Sequence, residues 1–159
     1  MIIIDGHNLL FSIQKSFEES ESVTPAVLCR MIDAYLRQVD EAGCLVFDGT
    51  GPPDREIFEN MMKLEVIFSG RTKDADRIIE DKIAANTAPR RLVVVSNDRR
   101  VRAAARKRRA TSVKTEAFWG NVISGLNRKP RPREPRAKLD GISEGETEQW
   151  LERFGLDED

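Results

Sequence analysis

The sequence predicts an α/β domain with a mostly parallel central sheet and helices on either side. Three observations carry this expectation. Short, almost wholly apolar runs alternate along the chain with segments of helical spacing. The apolar runs lack the in–out alternation of a sheet with one wet face, so both of their faces must be covered. Alternation of such strands with helices builds βα units and a parallel sheet, and 159 residues suit one domain with its own core.

Taken in order, "MIIID" (1–5) is the first strand, and it runs straight into Gly6, His7 and Asn8, which read as a turn. "TPAVLCRMIDAYLRQVDEAG" (24–43) is a helix with Thr24 as N-cap, Pro25 at its first position and Gly43 as its stop. Its Val27, Met31, Ala34, Tyr35 and Val39 share one face at helical spacing. "CLVFDG" (44–49) and "LEVIFS" (64–69) are the next strands. "DADRIIEDKIAANT" (74–87) is a helix that turns Ile78, Ile79 and Ile83 inward. "LVVVSND" (92–98) is a strand, and "DRRVRAAARKRRA" (98–110) a helix with Val101 and Ala105 as its inner stripe. "TSVKT" (111–115) and "EAFWGNVISGLN" (116–127) close the domain as a strand and a helix.

Beyond residue 127 the composition changes. Residues 128–142 carry three prolines and many basic side chains, the pattern of an extended linker. Residues 143–159 hold a capping-box pattern, Ser143 to Glu146, then Trp150, Leu151 and Phe154 on one face: a short amphipathic helix and an acidic tail. That helix either packs back on its own domain or docks on a protein partner; the sequence leaves both open.

A net charge of −1 conceals a division into blocks. Residues 1–88 carry −7, residues 89–138 carry +13, and residues 139–159 carry −7. So basic a middle block is an electrostatic footprint for a polyanion. Cys29 and Cys44 lie in apolar surroundings with no CxxC pattern and read as reduced core thiols. No signal peptide precedes the first strand, and no apolar run approaches the ~18 residues that span a bilayer. The expected location is cytoplasmic, with no membrane partner.

Acids recur where strands end. Asp5, Asp48 and Asp98 close three predicted strands, and Asp74 and Asp76 open the helix after a fourth. Parallel topology gathers all five on one rim. Each alone has an ordinary explanation as a turn or capping residue, and Asp76 least so, because it lies inside the first turn where no cap is required. Together they repel one another. Hard divalent ions are the usual offset, and Mg²⁺ or Mn²⁺ suits a few carboxylates plus waters. Asn8, Asn97 and Ser96 add amides and a hydroxyl at the same rim, and His7, the single histidine, reads as a turn residue. Beside the rim stand Arg71, Lys73, Arg99, Arg100, Arg102, Arg106, Lys107, Arg108 and Arg109. An acidic metal pocket next to a cationic surface fits phosphodiester chemistry: cations hold the backbone while the metal stabilises charge on phosphorus.

At this point the sequence resembles a family. "IIIDGHNLL", "LVFDGTGPP", "VIFSGRTKDADRIIEDKI" and "VVVSNDRRVRAAARKR" look like the NYN domain, and within it the YacP-like bacterial ribonucleases of the PIN-like nuclease group. The resemblance covers about residues 1–125. It implies a three-layer α/β/α nuclease domain over 1–127 and a Mg²⁺- or Mn²⁺-dependent endoribonuclease acting on RNA, ribosome-associated or otherwise structured. It carries the family's first-strand aspartate onto Asp5, its turn asparagine onto Asn8, and its later aspartates onto Asp76 and Asp98, with Asp48 at the second-strand position. Asp74, Ser96 and Asn97 are secondary candidates. Two rivals remain. An RNA-binding adaptor without turnover gains nothing from negative charge facing phosphates. A metal-dependent phosphatase of small molecules needs the rim but no Arg-rich helix.

Overall fold

The computed structural model describes residues 1–16 and 23–128. Residues Met1–Arg128 form one compact unit. The expected linker and amphipathic helix, from residue 129 onward, lie outside the described residues.

Five parallel strands form the sheet in the order β3-β2-β1-β4-β5, with β1 Ile2–Asp5, β2 Gly43–Phe47, β3 Leu64–Phe68, β4 Val93–Val95 and β5 Thr111–Val113. The helices are α1 Gly6–Ser16, α2 Pro25–Val39, α3 Glu56–Glu59, α4 Ala75–Ala85, α5 Arg99–Lys107 and α6 Thr115–Asn127, with a 3₁₀ turn at Pro89–Arg91. The sheet separates two apolar layers, and β1 serves both by alternation. Ile2 and Ile4 pack with Leu9 and Ile13 of α1, Leu28, Ile32 and Leu36 of α2, and Phe118 and Val122 of α6. Ile3 packs with Ile79 and Ile83 of α4 and with Val101 and Ala105 of α5. The three-layer α/β/α expectation holds.

Several local expectations are corrected. The segment after Asp5 is the start of helix α1 and not a flexible turn. Leu9 and Ile13, one turn apart, are buried and pin it to the sheet. Gly6 permits the sharp entry, because a Cβ there would stand 2.7 Å from the Phe47 ring and 2.9 Å from the Val46 carbonyl oxygen. Helix α2 ends at Val39, where Asp40 takes the left-handed conformation (φ 53°) and donates its N–H to the Leu36 carbonyl. Gly43 belongs to β2, and its missing side chain lets Leu36 close on the strand. The buried face of α2 is Leu28, Cys29, Ile32, Asp33 and Leu36, whereas Val27 and Val39 are exposed. Cys29 and Cys44 are buried and free, and burial pushes their thiols up to about 12 and about 11.

Asp33 is the polar exception in this layer. Its Oδ1 accepts the backbone N–H groups of Lys63 (2.7 Å) and Leu64 (3.1 Å), which fixes the entry of β3, and Arg37 Nε lies 3.4 Å from Oδ2. Asp33→Ala strands two amide donors in the interior and is expected to cost about 2–4 kcal/mol; a lowered urea midpoint at unchanged slope checks this. No helix among the described residues is long and apolar enough to cross a membrane.

Candidate metal centre on the carboxyl rim

The chain leaves β1 toward β2 and β3 on one side, and β4 and β5 lie on the other. Sheets of this kind take ligands outside the carboxyl ends of the strands, where the order reverses. Here that point lies between β1 and β4. Their register pairs Ile4 with Val95, so Asp5 and Ser96 leave the sheet side by side.

Asp5 is only 5 % exposed. Its Oδ1 accepts the N–H of Asn8 (3.2 Å) and its Oδ2 accepts the hydroxyl of Ser96 (3.1 Å). The same Ser96 oxygen accepts the N–H of Asp98 (3.0 Å). One buried hydroxyl thus ties two candidate ligands together. Burial raises the Asp5 carboxyl above its ordinary range, the two hydrogen bonds draw it back, and the Asp98 carboxylate raises it again. Asp98 also caps α5: its Oδ1 accepts the N–H groups of Arg100 (2.8 Å) and Val101 (3.1 Å).

Asp76, in the first turn of α4, completes the group. Burial first, then the carboxylates of Asp98, Asp5 and Asp74, push it up to about 6, against a weaker pull from Arg100. The topology has therefore placed three anions from three elements within one another's field, and Arg100 does not neutralise them. That guanidinium is held by Glu80, with Nε to Oε1 at 2.6 Å and Nη2 to Oε2 at 2.8 Å.

The donor set has the chemistry a hard divalent cation takes: carboxylate oxygens with a serine hydroxyl behind them. Among the described residues no three Asp, Glu, His or Cys side chains converge closely enough to form a ready-made cage. Mg²⁺ keeps several waters and takes one or two carboxylates directly, so the residues fit an ion held partly through water.

The other candidates, like Asp98, are engaged in local hydrogen bonds. Asp74 is the N-cap of α4, accepting the Arg77 N–H at 2.7 Å. Asp48, expected among the ligands, is exposed; its Oδ1 accepts the Ser69 hydroxyl (2.8 Å) and the Ala75 N–H (3.3 Å), which joins the ends of β2 and β3 to the start of α4. Asn8 Oδ1 accepts the Asn97 N–H (2.8 Å). Asn97 in turn accepts the Thr115 N–H (3.0 Å) and donates to Glu116 (2.8 Å), and Ser12 and Thr115 share a 2.6 Å hydrogen bond. This brace of α1, the β4–α5 junction and α6 includes Ser12 and Thr115, which no sequence pattern marked.

The cations divide by position. Arg71, Lys73 and Arg99 are exposed beside the acidic helix starts. Arg106, Lys107, Arg108 and Arg109 lie at the far end of α5, about 12 Å or more along its axis from Asp98. Arg102 reaches Ser112 Oγ (3.2 Å), and Arg108 reaches the Asn86 carbonyl (2.8 Å).

The family model of the YacP-like NYN domain matches residues 2–150 of the chain. Among solved structures, the chain is similar to Rae1 (YacP) from Bacillus subtilis at 21% identity and a TM-score of 0.66, over 98% of this chain and 92% of that one. It is also similar to a point mutant of that protein, at 21% identity and a TM-score of 0.62, over 80% of this chain and 77% of the other. No curated protein matches the chain.

Proposed function

This chain belongs to the YacP-like NYN family of nucleases, and from that premise we propose that it is a divalent-metal-dependent endoribonuclease whose centre is Asp5, Asp76 and Asp98. The observation that carries the reading is the meeting of acids at the β1–β4 junction: Asp5 and the Asp98 backbone are joined through the Ser96 hydroxyl, and Asp76 is pushed up to about 6 by burial and by their carboxylates. Such an arrangement has no use in a protein that merely cradles phosphates, since it repels them.

A bound Mg²⁺ or Mn²⁺ supplies positive charge that favours ionisation of the attacking water and stabilises the negative charge developing on phosphorus. The chain's own residues set the stage for this. Asp5, Asp76 and Asp98 hold the ion, directly or through water. Ser96 fixes Asp5 and the Asp98 backbone in one arrangement. Asn8, with its carbonyl oxygen spent on Asn97, keeps its side-chain N–H groups as donors for a phosphoryl oxygen. Arg71, Lys73 and Arg99 hold the RNA backbone on either side of the rim. RNA, ribosome-bound or otherwise structured, is the substrate class, and the cytoplasm is the matching compartment.

The test is cleavage of a mixed RNA pool with Mn²⁺, repeated with chelator and with Asp76→Asn. Activity that persists through either treatment refutes the assignment. Ser96→Ala is expected to lower Mn²⁺ affinity and cleavage together by about 10–100-fold, with both measured on the same preparation. Charge reversal separates the near cations from the far ones. Arg71→Glu with Arg99→Glu should reduce cleavage about tenfold or more and lower the salt slope by about one per lost phosphate contact, whereas Arg106→Glu with Lys107→Glu should do less. A small-molecule phosphatase would be indifferent to both pairs.

A further inference from the structure

On the β2–β3 side of the rim lies a cavity of about 540 Å³ whose walls are largely apolar. Its lining includes His7, Leu10, Phe47, Gly51, Ile57 and Phe68. The rings form a continuous cluster. His7 meets Phe47 edge-on at 5.8 Å, Phe47 stacks on Phe68 at 5.6 Å, and Phe58 meets Phe68 edge-on at 5.3 Å. The Arg55 guanidinium lies 5.4 Å over Phe68. Gly51, at φ 73°, passes so close to Phe68 that a Cβ would stand 2.7 Å from the ring. A side chain there would crowd a ring that lines the cavity.

Two polar groups connect this cavity to the acidic rim. His7 follows Asp5 by two residues, and its Nδ1 accepts the N–H of Asp48 at 3.0 Å. That bond leaves Nε2–H as the ring's donor. Asp48 also lines the cavity, with one carboxylate oxygen held by Ser69 and Ala75. The size, the apolar walls and the few fixed polar groups are those of a small-ligand pocket.

We propose that this cavity receives one unpaired base of the RNA, next to the phosphate held at Asp5, Asp76 and Asp98. The occupant follows from continuity: His7, exposed and two residues after Asp5, lines the cavity, and single-stranded RNA is recognised by splaying its bases out of the stack into side-chain sites. The His7 Nε2–H and the Asp48 carboxylate supply one donor and one acceptor for a base edge. The inference rests on the ribonuclease reading for its choice of ligand, so its test includes a readout independent of cleavage.

The full chain, with methyl-labelled Leu and Ile, is titrated with adenosine 5′-monophosphate, uridine 5′-monophosphate and ribose 5-phosphate. At least one nucleotide should shift the Leu10 and Ile57 methyl resonances saturably, ribose 5-phosphate should not, and Ile57→Trp, which fills the cavity, should abolish the response. Cleavage of RNAs with a single abasic position walked past the cut site should fall about 5- to 150-fold at one position, and Ile57→Trp should erase that difference. Methyls that ignore both nucleotides, or respond equally to ribose 5-phosphate, overturn the proposal. A response to protein concentration instead would assign the cavity to a second copy and overturn it too. Base binding without any RNA cleavage would keep the pocket and remove the nuclease reading; cleavage blind to every abasic position would remove the pocket alone.

Discussion

Replacing Asp76 with asparagine is expected to abolish cleavage and, in the metal-free protein, to make the fold more stable. Both effects come from one cause. Asp76 is pushed from its ordinary 3.8 up to about 6 by burial and by the carboxylates of Asp98, Asp5 and Asp74. A carboxyl whose folded value lies above its unfolded one binds more protons when folded. Its contribution to stability is therefore unfavourable at neutral pH, and the penalty is relieved as pH falls from about 6 toward about 4. The side chain is partly open to solvent, so screening reduces the penalty to about 1 kcal/mol. Asp76→Asn removes the charge and keeps the shape. Chemical unfolding in chelator at pH 7 should show the variant more stable by about that amount, and the advantage should vanish near pH 4. Its RNA cleavage in Mn²⁺ should fall by about 10³-fold, the loss of a ligand to the ion that stabilises the developing charge. A variant that is both inactive and less stable would indicate a structural role for Asp76.

The second large effect is expected at Gly6. A Cβ there would collide with the Phe47 ring at 2.7 Å and with the Val46 carbonyl oxygen at 2.9 Å, and both belong to the rigid centre of the sheet. Gly6→Ala must push α1 away from β2. Overpacking of this kind costs about 1–3 kcal/mol, and the displacement carries Asn8 away from the Asp5 and Asn97 contacts. Thermal unfolding should show a lowered midpoint. At a temperature where the variant remains folded, cleavage should still be reduced, because the helix entry that positions Asn8 has moved. Full activity in the folded variant would separate the site from α1.

Much of this architecture is legible in the sequence, for physical reasons that differ by element. The strands announce themselves because a sheet covered on both faces needs unbroken apolar runs such as Ile2–Ile4 and Val93–Val95. Helices α4 and α5 present one narrow apolar stripe each, so Ile79, Ile83, Val101 and Ala105 could point only one way. Helix α2 is apolar around most of its circumference. Two faces there have helical spacing, and periodicity alone did not select Leu28, Ile32 and Leu36. Helix α1 opens on Gly6, His7 and Asn8, all weak helix formers that also suit a turn. The Leu9–Ile13 pair was the available signal, and tertiary packing decides its meaning.

The candidate site divides in the same way. Acids at strand ends converge because parallel strands put their carboxyl ends on one rim. That rule reaches Asp5, Asp76 and Asp98, but it does not distinguish them from Asp48, whose carboxylate joins Ser69 to the start of α4. Loop geometry decides where each acid is engaged: Asp5 accepts its hydrogen bonds at the β1–β4 junction and Asp98 at the start of α5, whereas Asp48 accepts its own at the ends of β2 and β3. The Asn97–Thr115–Ser12 brace and the aromatic cavity are equally hidden, since their members lie far apart in the chain and follow no period.

The most direct measurement is calorimetric titration of the full chain with Mn²⁺, beside Asp76→Asn, at pH 7.5 and pH 5.5. The account predicts a saturable site in the parent whose affinity falls about tenfold or more in the variant, and which weakens at the lower pH as Asp76 takes up its proton. No saturable binding in the parent, or binding that the variant and the pH change leave untouched, would contradict it.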